Sequence, residues 1–383
     1  MHVDQWAERL SQQDVDDIEV GPCQRLQPGQ SRVNDQLRSF TDHPATGAVA
    51  GGEFPTQEVS SGPPSIRALA RFFAAALIRS VHIMTLTTGS LPLVNRRRGL
   101  FVYLGVAYVG MWAAMSPLLV SGYRRGDARE ETGALEQWCI AAAMLAPALA
   151  ALLVVCCIER SGRVRDSLAL RWPKPWGRTA QACLVAFAVP AGLTAAALVI
   201  GTISGQYPFD GVHWNGLGAW AAGAVLSMLV SLPLFFGEEL GWQGYLFPRL
   251  ARESDRRSLI RAYVVTGVAF ALWHLPTLLM GGQYPGRPWY VSVPAMLVSC
   301  VLILPVFTWL RLRSGSVVPA VIGHAFVSSM SVDMVKQFAA PKAALDPLHM
   351  GMAGWPGWIV TGAFVAFLTL TGRLQPSFYT GSK

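Results

Sequence analysis

The chain reads GLGAWAAGAVLSMLVSLPLFFG from residue 216 to residue 237 and continues directly into EELGWQGYL, residues 238–246. The first stretch has no charged residue and, as a helix, is long enough to cross a bilayer core of about 30 Å. It ends at two adjacent carboxylates, Glu238 and Glu239. Charged residues in or beside a membrane span are energetically costly and usually mark a function. This stretch therefore predicts a membrane helix that leads into a functional site.

The composition extends this prediction to the whole chain. Hydrophobic residues make up 52% of 383 and charged residues only 14%, with a mean hydropathy of +0.36. Soluble domains are about one-quarter charged. The six cysteines show no CxxC spacing, so we interpret them as packing residues rather than as a disulfide framework or a zinc site. The composition indicates an integral membrane protein.

Apolar runs of spanning length recur beyond the first hundred residues. We predict an all-α, polytopic membrane protein with about eight transmembrane helices. The spans are expected at 99–121, 138–158, 179–203, 216–237, 262–281, 290–310, 317–336 and 355–372.

The region before these spans divides into two parts. Residues 1–65 are predicted to be a disordered cytosolic arm, because the first 60 carry ten acidic and four basic residues and few aromatics. Residues 66–98 are apolar but interrupted by several basic side chains, which favours an amphipathic helix on the membrane surface followed by a basic juxtamembrane segment. A ninth span in this region is the alternative. Residues 99–376 form the predicted transmembrane domain.

Lysine and arginine residues are distributed unevenly between the two sets of connecting segments. The set that begins before the first span holds 21 of them after residue 65, and the alternate set holds 6. The positive-inside rule then predicts that both termini are cytosolic. Because the arginines cluster at span ends and not in a separate basic domain, the net charge of +8 indicates contact with the lipid bilayer and no nucleic-acid partner.

Three ionisable side chains inside the apolar runs are expected at one depth. Glu238, His274 and His324 are 11, 13 and 11 residues away from the nearest cytosolic arginine markers. Those markers are Arg249, Arg261 and Arg313. At 1.5 Å per residue, each separation is about 16 to 20 Å. We therefore expect one polar layer, reached from the cytosolic side.

Helical spacing suggests different roles for the two adjacent carboxylates. Glu239 and Gln243 are four residues apart, which predicts a hydrogen bond along one side of the helix. Glu238 is turned about 100° away and is free to face a cavity. The same spacing relates Phe270 to His274 and His324 to Ser328, so each pair is expected to share a face.

These residues form three ordered motifs: Glu-Glu-x-x-x-Gln at 238–243, Phe-x-x-x-His at 270–274 and His-x-x-x-Ser at 324–328. Together they resemble the CAAX protease and bacteriocin-processing family, the Abi group, which is related to the Ras-converting CAAX endopeptidase. The resemblance is strongest over residues 215–335. It implies a conical cavity within the membrane and hydrolysis of a peptide bond in a membrane-associated protein or peptide. Neighbouring residues resemble bacterial members, which implies a multi-pass protein of a bacterial-type inner membrane.

The resemblance also implies roles for the site residues. Glu238 would activate a water as general base, and His274 would share that water. His324 and Ser328 would donate hydrogen bonds to the oxyanion of the tetrahedral intermediate. The supporting residues would be Glu239, Gln243 and Phe270.

Two positions depart from the family pattern, and the cofactor stays open. The first motif usually ends in arginine where this chain has Gln243, and the third usually ends in asparagine where it has Ser328. Members have been described both as metalloproteases and as metal-independent glutamate proteases. His274 and His324 are candidate zinc ligands, although Glu238 cannot be both an ordinary ligand and the base. The expected cofactor is therefore none, or a divalent metal such as zinc.

Two other classes of protein are compatible with this sequence. A proton-coupled transporter would also use intramembrane Glu and His, but such carriers usually have inverted repeats, and none is evident. A catalytically impaired relative, acting as a binding or immunity protein, is favoured by the departures at Gln243 and Ser328.

Overall fold

A computed structural model describes residues 93–128, 133–172, 174–251 and 255–376. This part of the chain folds into helices joined by turns and loops, with no β-strand among the described residues. The predicted arm at residues 1–65 and most of the predicted surface segment at 66–98 lie outside the described residues. The first helix begins at Leu93, so residues 93–98 form its first turns.

The helices are numbered in chain order. They are α1 (Leu93–Val120), α2 (Ala134–Leu153), α3 (Val164–Ser167), α4 (Trp176–Ile203), α5 (Leu217–Glu239), α6 (Phe247–Leu250), α7 (Arg256–Trp273), α8 (Leu275–Leu279), α9 (Trp289–Ser314), α10 (Val318–Ala325), α11 (Ser331–Gln337) and α12 (Trp355–Leu370). Short π-helical segments continue three of them: Val154–Ile158 after α2, Leu240–Leu246 after α5 and Phe326–Met330 after α10.

Six helical stretches in the described part are long and apolar enough to cross a membrane. They are Arg96–Val120, Ala134–Ile158, Trp176–Ile203, Leu217–Leu250, Trp289–Ser314 and Val318–Gln337. The remaining two predicted spans correspond to α7 with α8, and to α12, which has 16 residues. The all-α, polytopic membrane fold is confirmed, while the total of eight spans stays a prediction.

The predicted span at 262–281 is broken at His274. Helix α7 ends at Trp273, and α8 begins at Leu275 with a proline at its start. Pro276 has no backbone N–H, and its ring excludes the carbonyl four residues earlier from a continuous helix. The break places His274 between two helices rather than within one.

Close packing of α5 against α2 sets the position of the first motif. A Cβ atom on Gly241 would lie 2.4 Å from Cβ of Pro147 and 2.6 Å from Oη of Tyr103, so only glycine fits there. Helix α10 packs against both α4 and α5, and α7 packs against α9. Helix α9 also packs against α10, so the helices that carry the three motifs, α5, α7 and α10, are held together.

Candidate active site

Glu238 lies in the last turn of α5, where the helix changes into its π-helical continuation. The residue is 3% exposed, and its Oε2 atom has no hydrogen-bond partner. Buried polar atoms in proteins are nearly always hydrogen-bonded, so an unpaired carboxylate oxygen indicates a functional role or a bound water. Glu238 lines a cavity of about 230 Å³ together with His274, His324 and Ser328.

His274 is held by the break between α7 and α8. Its Nδ1 lies 2.9 Å from the carbonyl oxygen of Phe270, and because a carbonyl can only accept, Nδ1 is the donor. The rings of Phe270 and Trp273 meet the imidazole edge to face, with centroids 4.8 and 4.9 Å away. This arrangement fixes the ring and leaves Nε2 as its free nitrogen.

His324 is held by a carboxylate and by aromatic rings. Its Nδ1 donates to Oε1 of Glu239 over 2.8 Å, and both side chains are buried. Phe307 stacks on the imidazole with centroids 5.0 Å apart, and Phe270 meets it edge to face at 5.6 Å. Nε2 is again the free nitrogen. A carboxylate on the far nitrogen fixes both the tautomer and the orientation of an imidazole.

The predicted hydrogen bond between Glu239 and Gln243 is wrong. Glu239 binds His324 instead, and Oε1 of Gln243 accepts from the hydroxyl of Thr308 over 3.0 Å. Nε2 of Gln243 and Oε2 of Glu239 both lack a partner. The reason is the π-helical segment that begins at Leu240, because its wider turn no longer superimposes residues four apart. Glu239 supports a neighbouring helix, not its own.

Two cavities meet at the motif residues. The larger has a volume of about 360 Å³ and the smaller about 230 Å³. His274, His324 and Ser328 line both of them, and Phe270 lines the larger one. The structure therefore brings side chains of all three motifs to one site. Ser328 is exposed to this space although its helix is packed within the fold.

The two cavities lead away from the arginine-rich helix ends, and access from the cytosolic side stays a prediction. Both cavities extend from the histidines toward the connections around residues 121–128 and 280–288, and the larger one also reaches residues 345–353. These connections lie at the helix ends opposite the arginine-rich ones. The far end of the α5 stretch is closed by packed side chains, which include a buried ion pair between Glu159 and Arg249.

The donor set does not fit a tetrahedral zinc site. Zinc sites in proteins need at least three protein ligands. Within the described residues, no three His, Cys, Asp or Glu side chains come together in a group that could hold a metal ion. His274 and His324 offer two free nitrogens at most.

Several residues at the site were not found from the sequence. Thr308 binds Gln243, Phe235 and Phe307 pack on His324, and Gln283 lines both cavities. They are ordinary residues of apolar helices and a glycine-containing turn, far along the chain from the motifs that they contact. The adjacent Gly281 and Gly282 mark a tight turn before Gln283, which is the only local signal.

Fold and site together define a class: a multi-pass helical membrane protein with a buried carboxylate, two buried histidines and a serine around one cavity. Residues 219–330 match the family model described as type II CAAX prenyl endopeptidase Rce1-like. A stretch of 108 residues is 32% identical to CAAX prenyl protease 2 of Methanococcus maripaludis. That match covers 27% of this chain and 38% of the relative. The resemblance inferred from the three motifs is confirmed for the part of the chain that carries them.

Proposed function

We propose that this protein is an intramembrane endopeptidase of the CAAX type, which hydrolyses a peptide bond in a membrane-associated protein or peptide. The observation that carries the proposal is the unpaired Oε2 atom of the buried Glu238, in a cavity shared with two oriented histidines and Ser328. The family match at residues 219–330 supports the same activity.

The side chains suggest a complete hydrolytic cycle. Glu238 takes a proton from a water, and the resulting hydroxide attacks the carbonyl carbon of the scissile bond. His274, with Nδ1 committed to a carbonyl, has Nε2 left to accept a hydrogen bond from that water. Glu238 then transfers its proton to the amide nitrogen as the C–N bond breaks. The products are a carboxylic acid and an amine.

The other two motif residues suit the developing negative charge. Ser328 carries a hydroxyl donor in the cavity. His324 donates through Nδ1 to Glu239, and in its doubly protonated form Nε2 is a second donor. Each donor to the oxyanion is worth roughly 10²-fold to 10³-fold in kcat. Glu239 is a positioning residue in this scheme, because it acts through His324.

The test compares membranes from cells that produce the native protein, Glu238→Gln or Asp333→Asn. Asp333 is a matched control, a half-buried acid on α11 that lines neither cavity. New protein N-termini are identified by mass spectrometry. We expect one set of cleavage products with the native protein and the control that is absent with Glu238→Gln. If the products persist in Glu238→Gln and in His274→Ala, the protease proposal is wrong.

A second candidate is a catalytically impaired relative that binds its partner without cleaving it. It is favoured by the unpaired Nε2 of Gln243, at a position where family members usually have arginine. This candidate predicts that the native chain captures a membrane protein and that capture survives Glu238→Gln. The cleavage products of the preceding experiment would then be absent from the native sample as well.

A further inference from the structure

The carboxyl ends of α9 and α12 lie side by side at one end of the helix bundle. Nε1 of Trp358 donates to the hydroxyl of Ser299 over 2.8 Å. Further along both helices, the rings of Trp309 and Phe364 meet with centroids 5.5 Å apart. Contacts that advance in the same order along two helices show that the helices are parallel. Their last turns therefore come together.

The last turn of α9 lies at the depth of the lipid headgroups. With 26 residues, α9 is about 39 Å long, whereas the hydrocarbon core is about 30 Å thick. Its two basic residues, Arg311 and Arg313, both lie in that last turn. Arg313 lies 6.0 Å from the ring of Trp309, and Arg373 lies 5.9 Å from the ring of Phe367. Basic and aromatic residues together are typical of the membrane interface.

Arg311 differs from Arg249 in its countercharge. Arg249 is paired with the carboxylate of Glu159. Nε of Arg311 is buried and has no hydrogen-bond partner, and no acidic side chain in the described part of the chain forms an ion pair with Arg311. An uncompensated buried charge is costly, and an unpaired buried polar atom indicates an ion or ligand that completes it.

The surroundings of Arg311 do not supply a negative charge. The groups that act on it electrostatically are Arg249, which has the same sign, and the phenol of Tyr263. The hydroxyl of Tyr263 donates to the carbonyl oxygen of Leu374 over 3.0 Å, so its proton is already committed. Arg311 is only half-buried, and a ligand at the surface of the bundle can therefore reach it.

We infer that Arg311 is the centre of a binding site for a phosphate group, which the bilayer supplies as the headgroup of an anionic phospholipid. The planar fork of a guanidinium matches two oxygens of a phosphate. Arg313 and Arg373 add positive charge at the same helix ends, which favours a headgroup with net negative charge. Arg311 lines neither cavity at the motif residues, so this inference does not depend on the proposed function.

The test measures ligand binding to purified full-length protein in a neutral, phosphate-free detergent. The probes are phosphatidylglycerol, phosphatidylcholine and inorganic phosphate. Bound lipid is counted by native mass spectrometry, and protection by each probe is measured as a shift in unfolding temperature. The variants are Arg311→Gln and Arg311→Lys, which keeps the charge but not the fork. Arg178→Gln is the matched control, because it removes an exposed arginine from the first turn of another membrane helix, α4.

We expect Arg311→Gln to bind phosphatidylglycerol at least about tenfold more weakly than the native protein, and Arg178→Gln to bind it as the native protein does. Because Arg311 has no charged partner within the protein, the lipid-free Arg311→Gln variant should fold with undiminished stability. Should it not fold, Arg311→Lys provides the same comparison. Phosphatidylcholine is expected to protect less than phosphatidylglycerol.

Inorganic phosphate distinguishes the two sources of the anion. Protection by inorganic phosphate that equals protection by the lipid, and that is lost in Arg311→Gln, would support the phosphate site with a free anion as its ligand. Equal affinity of the native protein and both Arg311 variants for phosphatidylglycerol and for inorganic phosphate would overturn the inference. A loss of stability in lipid-free Arg311→Gln and Arg311→Lys alike, with unchanged lipid binding, would assign Arg311 to the packing of the fold instead.

Discussion

Two buried charged clusters lie on the same long helical stretch, Leu217–Leu250, and they differ in how their polar atoms are paired. Around Arg249, the guanidinium binds both oxygens of Glu159 and a backbone carbonyl. Around Glu238, the atoms without a partner include Oε2 of Glu238, Oε2 of Glu239 and Nε2 of Gln243. A cluster with complete pairing contributes to the fold, whereas unpaired groups beside a cavity are available for chemistry.

The largest expected effect is on catalysis at the unpaired cluster. His274→Ala removes the imidazole that shares the attacking water, and we expect the cleavage rate to fall by about 10²-fold to 10⁴-fold. The imidazole also packs against Phe270 and Trp273, so a moderate loss of stability should accompany the change. Rates are measured on a cleaved peptide found in the membrane experiment, and unfolding is followed by fluorescence in detergent. A large loss of stability with unchanged rate would reverse the roles of the two clusters.

The next effect is on stability at the paired cluster. Glu159→Gln leaves Arg249 buried without a countercharge, which costs about 3 to 5 kcal/mol in free energy of unfolding. The double variant Glu159→Met with Arg249→Met removes both charges and should recover most of that loss. Denaturant unfolding of the two variants measures the difference. Equal destabilisation of the single and double variants would contradict the description of this cluster as a buried ion pair.

Glu239→Gln tests the link between the carboxylate and His324. The amide keeps the shape and an oxygen acceptor but loses the charge, so His324 is less firmly held in its doubly protonated form. We expect kcat to fall by about 10-fold to 100-fold with little change in KM. The conservative variant Glu239→Asp should retain part of the activity. If Glu239 acts only by packing, both variants should lose stability, and kcat should not fall selectively relative to KM.

A smaller effect is expected where an ion pair joins the connections that follow α8 and α11. Arg287 binds Asp346, which also accepts from His349 over 2.5 Å and from the backbone N–H of Leu348 over 3.1 Å. Desolvation opposes the charge, but the hydrogen bonds from Arg287 and His349 hold the pKa of Asp346 below its usual value.

Because the folded pKa of Asp346 is lowered, its stabilising contribution is present above the unfolded value of about 4 and is lost as the pH falls through the folded value. We expect proteolytic cutting between residues 339 and 354 to increase below about pH 4, and Asp346→Asn to remove this dependence. Mass spectrometry of limited digests with an acid-active protease checks both. A pH dependence that persists in Asp346→Asn would assign it to another group.

The sequence was sufficient for the parts of the structure that depend on composition and local spacing. Long apolar runs predicted where the helices lie, and the three motifs predicted which residues meet. The partner of Glu239 could not be predicted, because a π-helical segment changes the face of every residue after Leu240. The pairing of Glu159 with Arg249 could not be predicted either, because the two residues are 90 positions apart in the sequence.

The direction in which the cavities lead could not be predicted, for a physical reason of the same kind. Counting residues from arginine markers located the depth of Glu238, His274 and His324, and they do line one cavity. The number of residues to an arginine marker does not show at which end of the bundle side chains pack together and close the cavity. That packing depends on side chains from α1, from α6 and from the segment after α2, which come together only in the folded chain.

The comparison between the two clusters is tested most directly by one pair of isosteric variants, Glu238→Gln and Glu159→Gln. For each, the cleavage rate in reconstituted membranes and the free energy of unfolding are measured side by side. We expect Glu238→Gln to lose cleavage by at least about 10²-fold and to keep its stability, while Glu159→Gln loses stability and, where folded, keeps cleavage. Cleavage that survives in Glu238→Gln would contradict it.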